Sequence, residues 1–272
     1  RVDSHFPMFE NLLKGLAGRG HHVVVVSHYP QKHPVENYTD ISLVGSLPST
    51  KDNVSLSYLE TIKSGSFATF FFSFATSSCE LVYKHPNVRR LTEMEGKFDL
   101  VINEIWGNDC FLGLTYKLKV PHIGVITSVA YPWSNDRIGN PDNPSYIPNF
   151  FLPYNEVMSF SQRLVNTIFT FGTRYLHHFM SEVPTQRIAS EKLGEFLPPL
   201  SEIARNTSLI FVNSHYSMHQ PRPNVPSLIE VAGLHIEEAK SLPEVRDIDT
   251  QFKSKCELAI IVQFKSCSLI YS

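Results

Sequence analysis

The sequence predicts an α/β fold built on a mostly parallel, doubly wound sheet with flanking helices. Three observations carry that prediction. A helix runs directly into a buried strand near the start, a strand-helix-strand unit lies in the middle, and another apolar strand follows late in the chain. Strands that alternate with helices build parallel sheets covered on their faces.

The first unit begins at Met8, where Phe9, Leu12, Leu13, Leu16 and Ala17 recur at helical spacing as far as Arg19, with Pro7 suited to a first turn and Gly20 to a stop. Val23-Val24-Val25-Val26-Ser27 follows, an unbroken β-branched run of the kind buried on both faces of a parallel sheet. The aromatic run Phe67 to Phe74 is far too short to span a membrane; a buried helix and a surface-seeking patch both fit it. Phe98 to Asn103 reads as a strand, Asp109 to Leu118 as a helix and His122 to Thr127 as a second strand.

Tyr131 to Pro153 is rich in Pro, Asn and Asp and reads as an extended loop, long enough to suggest a functional or lid-like surface. Beyond it, Val157, Phe160, Leu164, Ile168, Phe171, Tyr175 and Phe179 step by three and four residues, predicting a long amphipathic helix over Glu156 to Met180 that Gly172 could interrupt. Ser208 to Asn213 reads as a strand, Gln220 to Pro226 as a stiff linker because each proline fixes its backbone, and Ile229 to Gly233 as a last strand.

Composition narrows the function. At 272 residues, 42% hydrophobic and 18% charged, the chain can bury the core of one large or two ordinary globular domains. A formal net charge of -2 supplies no basic field, so neither nucleic acid nor an anionic membrane is an expected partner. No apolar stretch reaches the length of a transmembrane segment, and no signal peptide is visible in a chain that starts at Arg1. The four cysteines, Cys79, Cys110, Cys256 and Cys267, lack metal-ligand spacing and are too few for a disulfide framework; free or buried thiols are expected, and no metal site.

Working residues of open α/β sheets sit at the carboxyl ends of strands. His5 lies in such a turn if a strand precedes it, and its neutral imidazole suits a general base; helping to cap the helix with Asp3 and Ser4 is the other reading. A base histidine needs a carboxylate to orient its ring. Glu104, at the end of the strand from Phe98, and Asp109, at the start of the next helix, are the two candidates. Asp109 also reads as a helix N-terminal charge, whereas Glu104 needs a partner if the strand end is buried. Hydrolase-elbow, Walker and dinucleotide motifs are absent.

The run Ser4 to Ser27, the segments Phe98 to Glu104 and Asn108 to Gly113, Leu209 to Ser214, Arg222-Pro223 and Val231 to Leu234 together resemble UDP-glycosyltransferases of insect type. The resemblance covers about residues 1–244. It implies the N-terminal acceptor-binding, Rossmann-like domain of a GT-B enzyme, with His5 as general base, Glu104 as its acidic partner where the family has aspartate, and Asp109 as the alternative partner. It further implies inverting transfer of a sugar, glucose foremost, from a UDP-sugar co-substrate to a small lipophilic hydroxyl acceptor. No tightly bound cofactor and no metal are implied.

Acceptor contacts are expected from Phe67 to Phe74, Tyr131 to Tyr154 and the helix from Glu156. Residues 245–272 follow neither the family's linker nor its donor domain, so the resemblance implies a truncated chain, lacking the membrane anchor and inactive alone. The competing expectation is a non-catalytic module that binds lipophiles or pairs with full-length family members. Sequons at Asn37, Asn53 and Asn206 agree with the endoplasmic reticulum lumen that the resemblance implies.

Overall fold

The computed structural model describes residues 5–46 and 64–236, apart from residues 92, 95, 195, 218 and 220. Asn53, Cys256, Cys267 and residues 245–272 therefore lie outside the described residues.

Helix α1 (Phe6–Gly18) starts with proline in its first turn and ends before Gly20, whose φ of +89° only glycine adopts cheaply. It packs Phe6, Leu13, Leu16 and Ala17 against Val23 and Val25 of strand β1 (Val23–Ser27). Strand β2 (Tyr38–Ser42) pairs with β1 in parallel. Helices α2 (Ser64–Tyr83) and α3 (Pro86–Leu91) come next, then β3 (Val101–Glu104), α4 (Leu112–Leu118) and β4 (His122–Ile126).

After a long loop holding one 3-10 turn (Asn135–Arg137) come α5 (Phe160–His177), a π turn (His178–Glu182), α6 (Val183–Leu193), α7 (Leu200–Arg205), β5 (Thr207–Val212) and β6 (Leu228–Glu230). Strands β3-β4-β5-β6 form one parallel sheet in that order. Among the described residues β1 and β2 are hydrogen-bonded only to each other, yet Val26 and Ile41 share a core with Val101, Leu91, Leu114 and Leu118. Every strand pairing is parallel and helices flank the strands, as the alternating pattern predicts.

Three expectations need correction. The Pro-rich segment from Tyr131 is irregular, but it is no surface lid: Tyr131, Trp133, Ile147, Phe151 and Leu152 are buried, and Tyr131, Trp133 and Phe151 pack with Phe71 and Phe72 of α2. Gly107 makes that packing possible, because a Cβ there would lie 2.7 Å from the Phe71 ring and 2.8 Å from Ala75.

The second correction concerns thiols. Cys79 of α2 and Cys110 form a disulfide with Cα atoms 5.6 Å apart, where free thiols were expected. Their sequence separation of 31 gives no hint of this contact, which arises because α2 lies across the turn before α4. The third is small: Gly172 does not interrupt α5, and the irregularity falls at the π turn after His177.

Helix α5 has the predicted period with an unexpected facing. A capping box between Ser159 and Gln162 starts it. Its apolar stripe of Phe160, Leu164, Ile168, Phe171, Tyr175 and Phe179 is exposed, while Asn166, Thr170, Thr173 and His177 are buried. Hydrogen bonds enforce this orientation. The Asn166 amide donates to the carbonyls of Pro144 and Ile147 and accepts from the Asn149 N–H, and the Asn149 side chain donates to Thr170 and Thr173. The polar face is thus the one that holds the long loop in place.

Candidate functional site at the carboxyl edge

Strands β1, β3, β4 and β5 all end on one edge of the molecule, so the turns after them converge there. His5 stands at the N-cap of α1, and its side chain makes no capping bond; Asp3 and Ser4, the other residues of the cap reading, lie outside the described residues. Instead its Nδ1 lies 2.8 Å from Oε1 of Glu104, the last residue of β3. A carboxylate only accepts, so Nδ1 carries a proton, and in the neutral ring Nε2 is then the acceptor. No bond to Nε2 is present among the described residues.

Two further side chains shape this pair. Thr127, just past β4, donates its hydroxyl to the same Glu104 oxygen at 3.3 Å, and its own carbonyl accepts from the Asn213 amide at 3.0 Å. Three adjacent strand ends are therefore chained together behind the carboxylate. Trp106 meets the His5 ring edge-on, with centroids 6.3 Å apart, and its carbonyl accepts from the Trp133 indole at 2.8 Å. Phe71 and Phe74 pack against Trp106, which makes one flank of the histidine aromatic. The pair itself stays half-exposed, with side chains 27% and 35% accessible for His5 and Glu104.

Asp109 is not brought to His5. Its carboxylate is buried in an ion pair with Arg137 of the long loop, both side chains at 7% exposure or less. Nearby, His177 stacks on Trp133 at 4.9 Å and is held neutral, its pKa pushed down to about 4 chiefly by burial. His122 is also lowered by burial and bonds Thr207 at 2.9 Å. These groups form the interior, and none reaches the half-exposed pair.

The segments expected to touch an acceptor divide in the same way. Phe71 and Phe74 back the Trp106 ring that meets His5, whereas the apolar stripe of α5 is exposed. Between the long loop and the ends of β5 and β6, Asn140, Ser214, His219 and Glu230 line a cleft of about 20 Å³, the size of a water molecule. Among the described residues no three His, Cys, Asp or Glu side chains gather as a metal site, and no helix is long and apolar enough to cross a membrane.

Sequence reasoning missed Thr127, Trp106 and Arg137. Thr127 is the last residue of one predicted strand and Trp106 lies three residues past the end of another, so their position carried a signal; Arg137, in a loop without periodicity, carried none.

A parallel α/β layer with a histidine-carboxylate pair at its carboxyl edge defines a class: folds that bind small molecules across their strand ends. The chain belongs to the UDP-glucoronosyl and UDP-glucosyl transferase family, whose sequence profile matches residues 3–267. It is 35% identical to UDP-glucosyltransferase 2 of Dactylopius coccus over 243 residues, covering 88% of this chain and 47% of that protein. It is also 32% identical to UDP-glycosyltransferase UGT5 of the same insect, over 90% of this chain and 47% of the relative. UDP-glucuronosyltransferase 1-2 of Rattus norvegicus is 24% identical over 89% and 47%. The chain spans about half the length of the curated relatives it matches. No solved structure matches it.

Proposed function

We propose that this chain is the acceptor-binding half of a GT-B UDP-glycosyltransferase, with residues 1–244 as its domain and His5 as the general base. The observation that carries the reading is the 2.8 Å contact between His5 Nδ1 and Glu104. In the proposed reaction Nε2 takes the proton of the acceptor hydroxyl, the acceptor oxygen bonds to the anomeric carbon, and the bond from that carbon to the β-phosphate oxygen breaks. UDP leaves with the bonding pair and the anomeric configuration inverts. Glu104 stabilises the imidazolium that forms, and Thr127 keeps the carboxylate aimed.

The aromatic flank of Trp106, Phe71 and Phe74 supports a small lipophilic acceptor, since apolar walls with a few polar groups suit such ligands. The relatives named as glucosyl and glycosyl transferases support a UDP-sugar co-substrate, with glucose as the sugar. The Cys79–Cys110 bridge supports an oxidising compartment, the endoplasmic reticulum lumen.

The test is transfer by a chimera that joins residues 1–244 to the C-terminal half of the Dactylopius coccus UDP-glucosyltransferase 2, given UDP-glucose and a panel of lipophilic phenols and alcohols. The expected product is the inverted glucoside, with His5→Ala lowering kcat by about 10²- to 10⁴-fold. Acceptor binding, read from tryptophan fluorescence, should survive that substitution. Unchanged kcat in His5→Ala, or a product of retained configuration, would overturn the mechanism.

A further inference from the structure

We propose that Asn37 and Asn206 are N-glycosylation sites, which makes the amino edge of the strands the glycan-bearing face of this protein. The inference does not rest on the transfer mechanism, only on sequon placement, exposure and the disulfide.

Both sequons have the same structural setting. Asn37 immediately precedes β2, and its carbonyl accepts from the N–H of Val23, the first residue of β1. Asn206 immediately precedes β5, whose first residue, Thr207, pairs with His122, the first residue of β4. Each asparagine thus lies where parallel strands begin, the edge opposite the one that holds Glu104 and Thr127. Across the six residues of β5 the two edges are about 17 Å apart.

The side chains needed for modification are available. Asn37 and Asn206 are exposed, and so are the hydroxyl residues two positions on, Thr39 and Ser208. That pairing follows from the strand: residues two apart share a face. The middle residues, Tyr38 and Thr207, turn the other way, and Thr207 is buried. No hydrogen bond holds the Asn206 amide among the described residues. The Asn37 amide donates to the Ala17 carbonyl at 3.4 Å, a long bond that a glycosylated amide could keep, because it retains one N–H. Asn37 also has a φ of +56°, in the left-handed region that asparagine tolerates better than most residues, so it turns the chain outward at this point.

The Cys79–Cys110 bridge is the independent observation that the chain encounters an oxidising compartment, the setting in which sequons are modified. The donor required is an oligosaccharide on a polyprenyl pyrophosphate. The asparagine Nδ2 bonds to its anomeric carbon, the bond from that carbon to the pyrophosphate oxygen breaks, polyprenyl pyrophosphate departs, and the amide gives up one proton. A glycan at either position extends away from the His5 edge and leaves it open to substrate.

The experiment is a peptide map of the protein isolated from its own cells, after removal of N-glycans by peptide N-glycosidase in heavy-oxygen water. The expected result is conversion to labelled aspartate at positions 37 and 206. In protein expressed behind a secretory leader, Asn206→Gln and Ser208→Ala should each remove one glycan, as should Asn37→Gln and Thr39→Ala. The Cys79–Cys110 bridge should persist in all four variants, which shows that the fold survives. Unlabelled asparagine at both positions overturns the proposal, whether Cys79 and Cys110 are found bridged or free. Label confined to Asn53 overturns it as well.

Discussion

Glu104 ends β3, Asp109 lies in the turn that follows, and the two reach opposite electrostatic situations. Glu104 sits half-exposed against His5, with the Thr127 hydroxyl as its only other partner among the described residues. Asp109 is buried against Arg137, beside a histidine held neutral and an aromatic core. The difference separates the two jobs a carboxylate can do. A buried pair is costly to break, because removing one partner strands the other charge away from water. A half-exposed pair costs little to break, because water replaces the lost partner. By this comparison Asp109 serves the fold, and Glu104 is the carboxylate on which the proposed mechanism draws.

The largest expected effect tests the buried side. Arg137→Ala should destabilise the chain by about 3 to 5 kcal/mol, since it leaves Asp109 unpaired. The double variant Asp109→Leu, Arg137→Met should recover most of that loss, because an apolar pair removes the stranded charge. Urea unfolding of the single and double variants measures both. Equal losses in the two would show that the site needs the ions themselves.

Next comes the bridge that fixes α2 beside Asp109. Closing a loop with a sequence separation of 31, the Cys79–Cys110 disulfide should contribute about 3 to 4 kcal/mol. Cys79→Ala with Cys110→Ala should lower the urea midpoint accordingly, and a reducing agent should then have no further effect. A midpoint that still moved with reductant would point to a second bridge.

The third effect is a pH dependence. In the unfolded chain a histidine takes up a proton near pH 6.5, whereas buried His177 does so only near pH 4. Between those values the unfolded state binds more protons, so stability should fall as pH drops from about 6.5 to 4 and level off below. The single-site loss is about 3 kcal/mol. His122 and His219, both lowered by burial, act in the same direction. His177→Phe should keep the stacking on Trp133 and flatten the slope in unfolding curves taken at several pH values.

How much of this was legible in the sequence depends on whether the signal was local. The valine run of β1 needs no partner to be recognised, because β-branched residues in an unbroken row fit only a buried strand. The period of α5 was equally plain, yet a period says which residues share a face and not which way that face points. Its facing is set by Asn166 and Thr170 bonding a loop about twenty positions earlier. The pairing of Asp109 with Arg137 and of Cys79 with Cys110 is nonlocal in the same sense. Asp109 also carried a competing local signal, a charge at a helix start, and the partner that decided its role sits in a loop without pattern. The strand end at Glu104 was visible locally; its 2.8 Å approach to His5 is a product of the fold.

The smallest expected stability effect belongs to the exposed pair, where the comparison becomes sharpest. Glu104→Asp keeps the charge and shortens the side chain by one methylene. Aspartate is what the resemblance to the family would place there, so a naive expectation is no change. In this chain the longer side chain already meets Nδ1 at 2.8 Å while holding Thr127. A shorter one on the same backbone must give up at least one of those contacts. Stability should change by less than about 1 kcal/mol, as for exposed ion pairs generally. The imidazole should respond more, because losing the Nδ1 acceptor frees the proton to move between the two nitrogens. Nitrogen-15 shifts of the His5 ring read that tautomer balance directly, with Nε2 changing from acceptor toward a mixture. A ring unchanged in Glu104→Asp would mean that α1 and β3 close the gap by moving together, and the turn holding His5 would then be the adjustable part of the site.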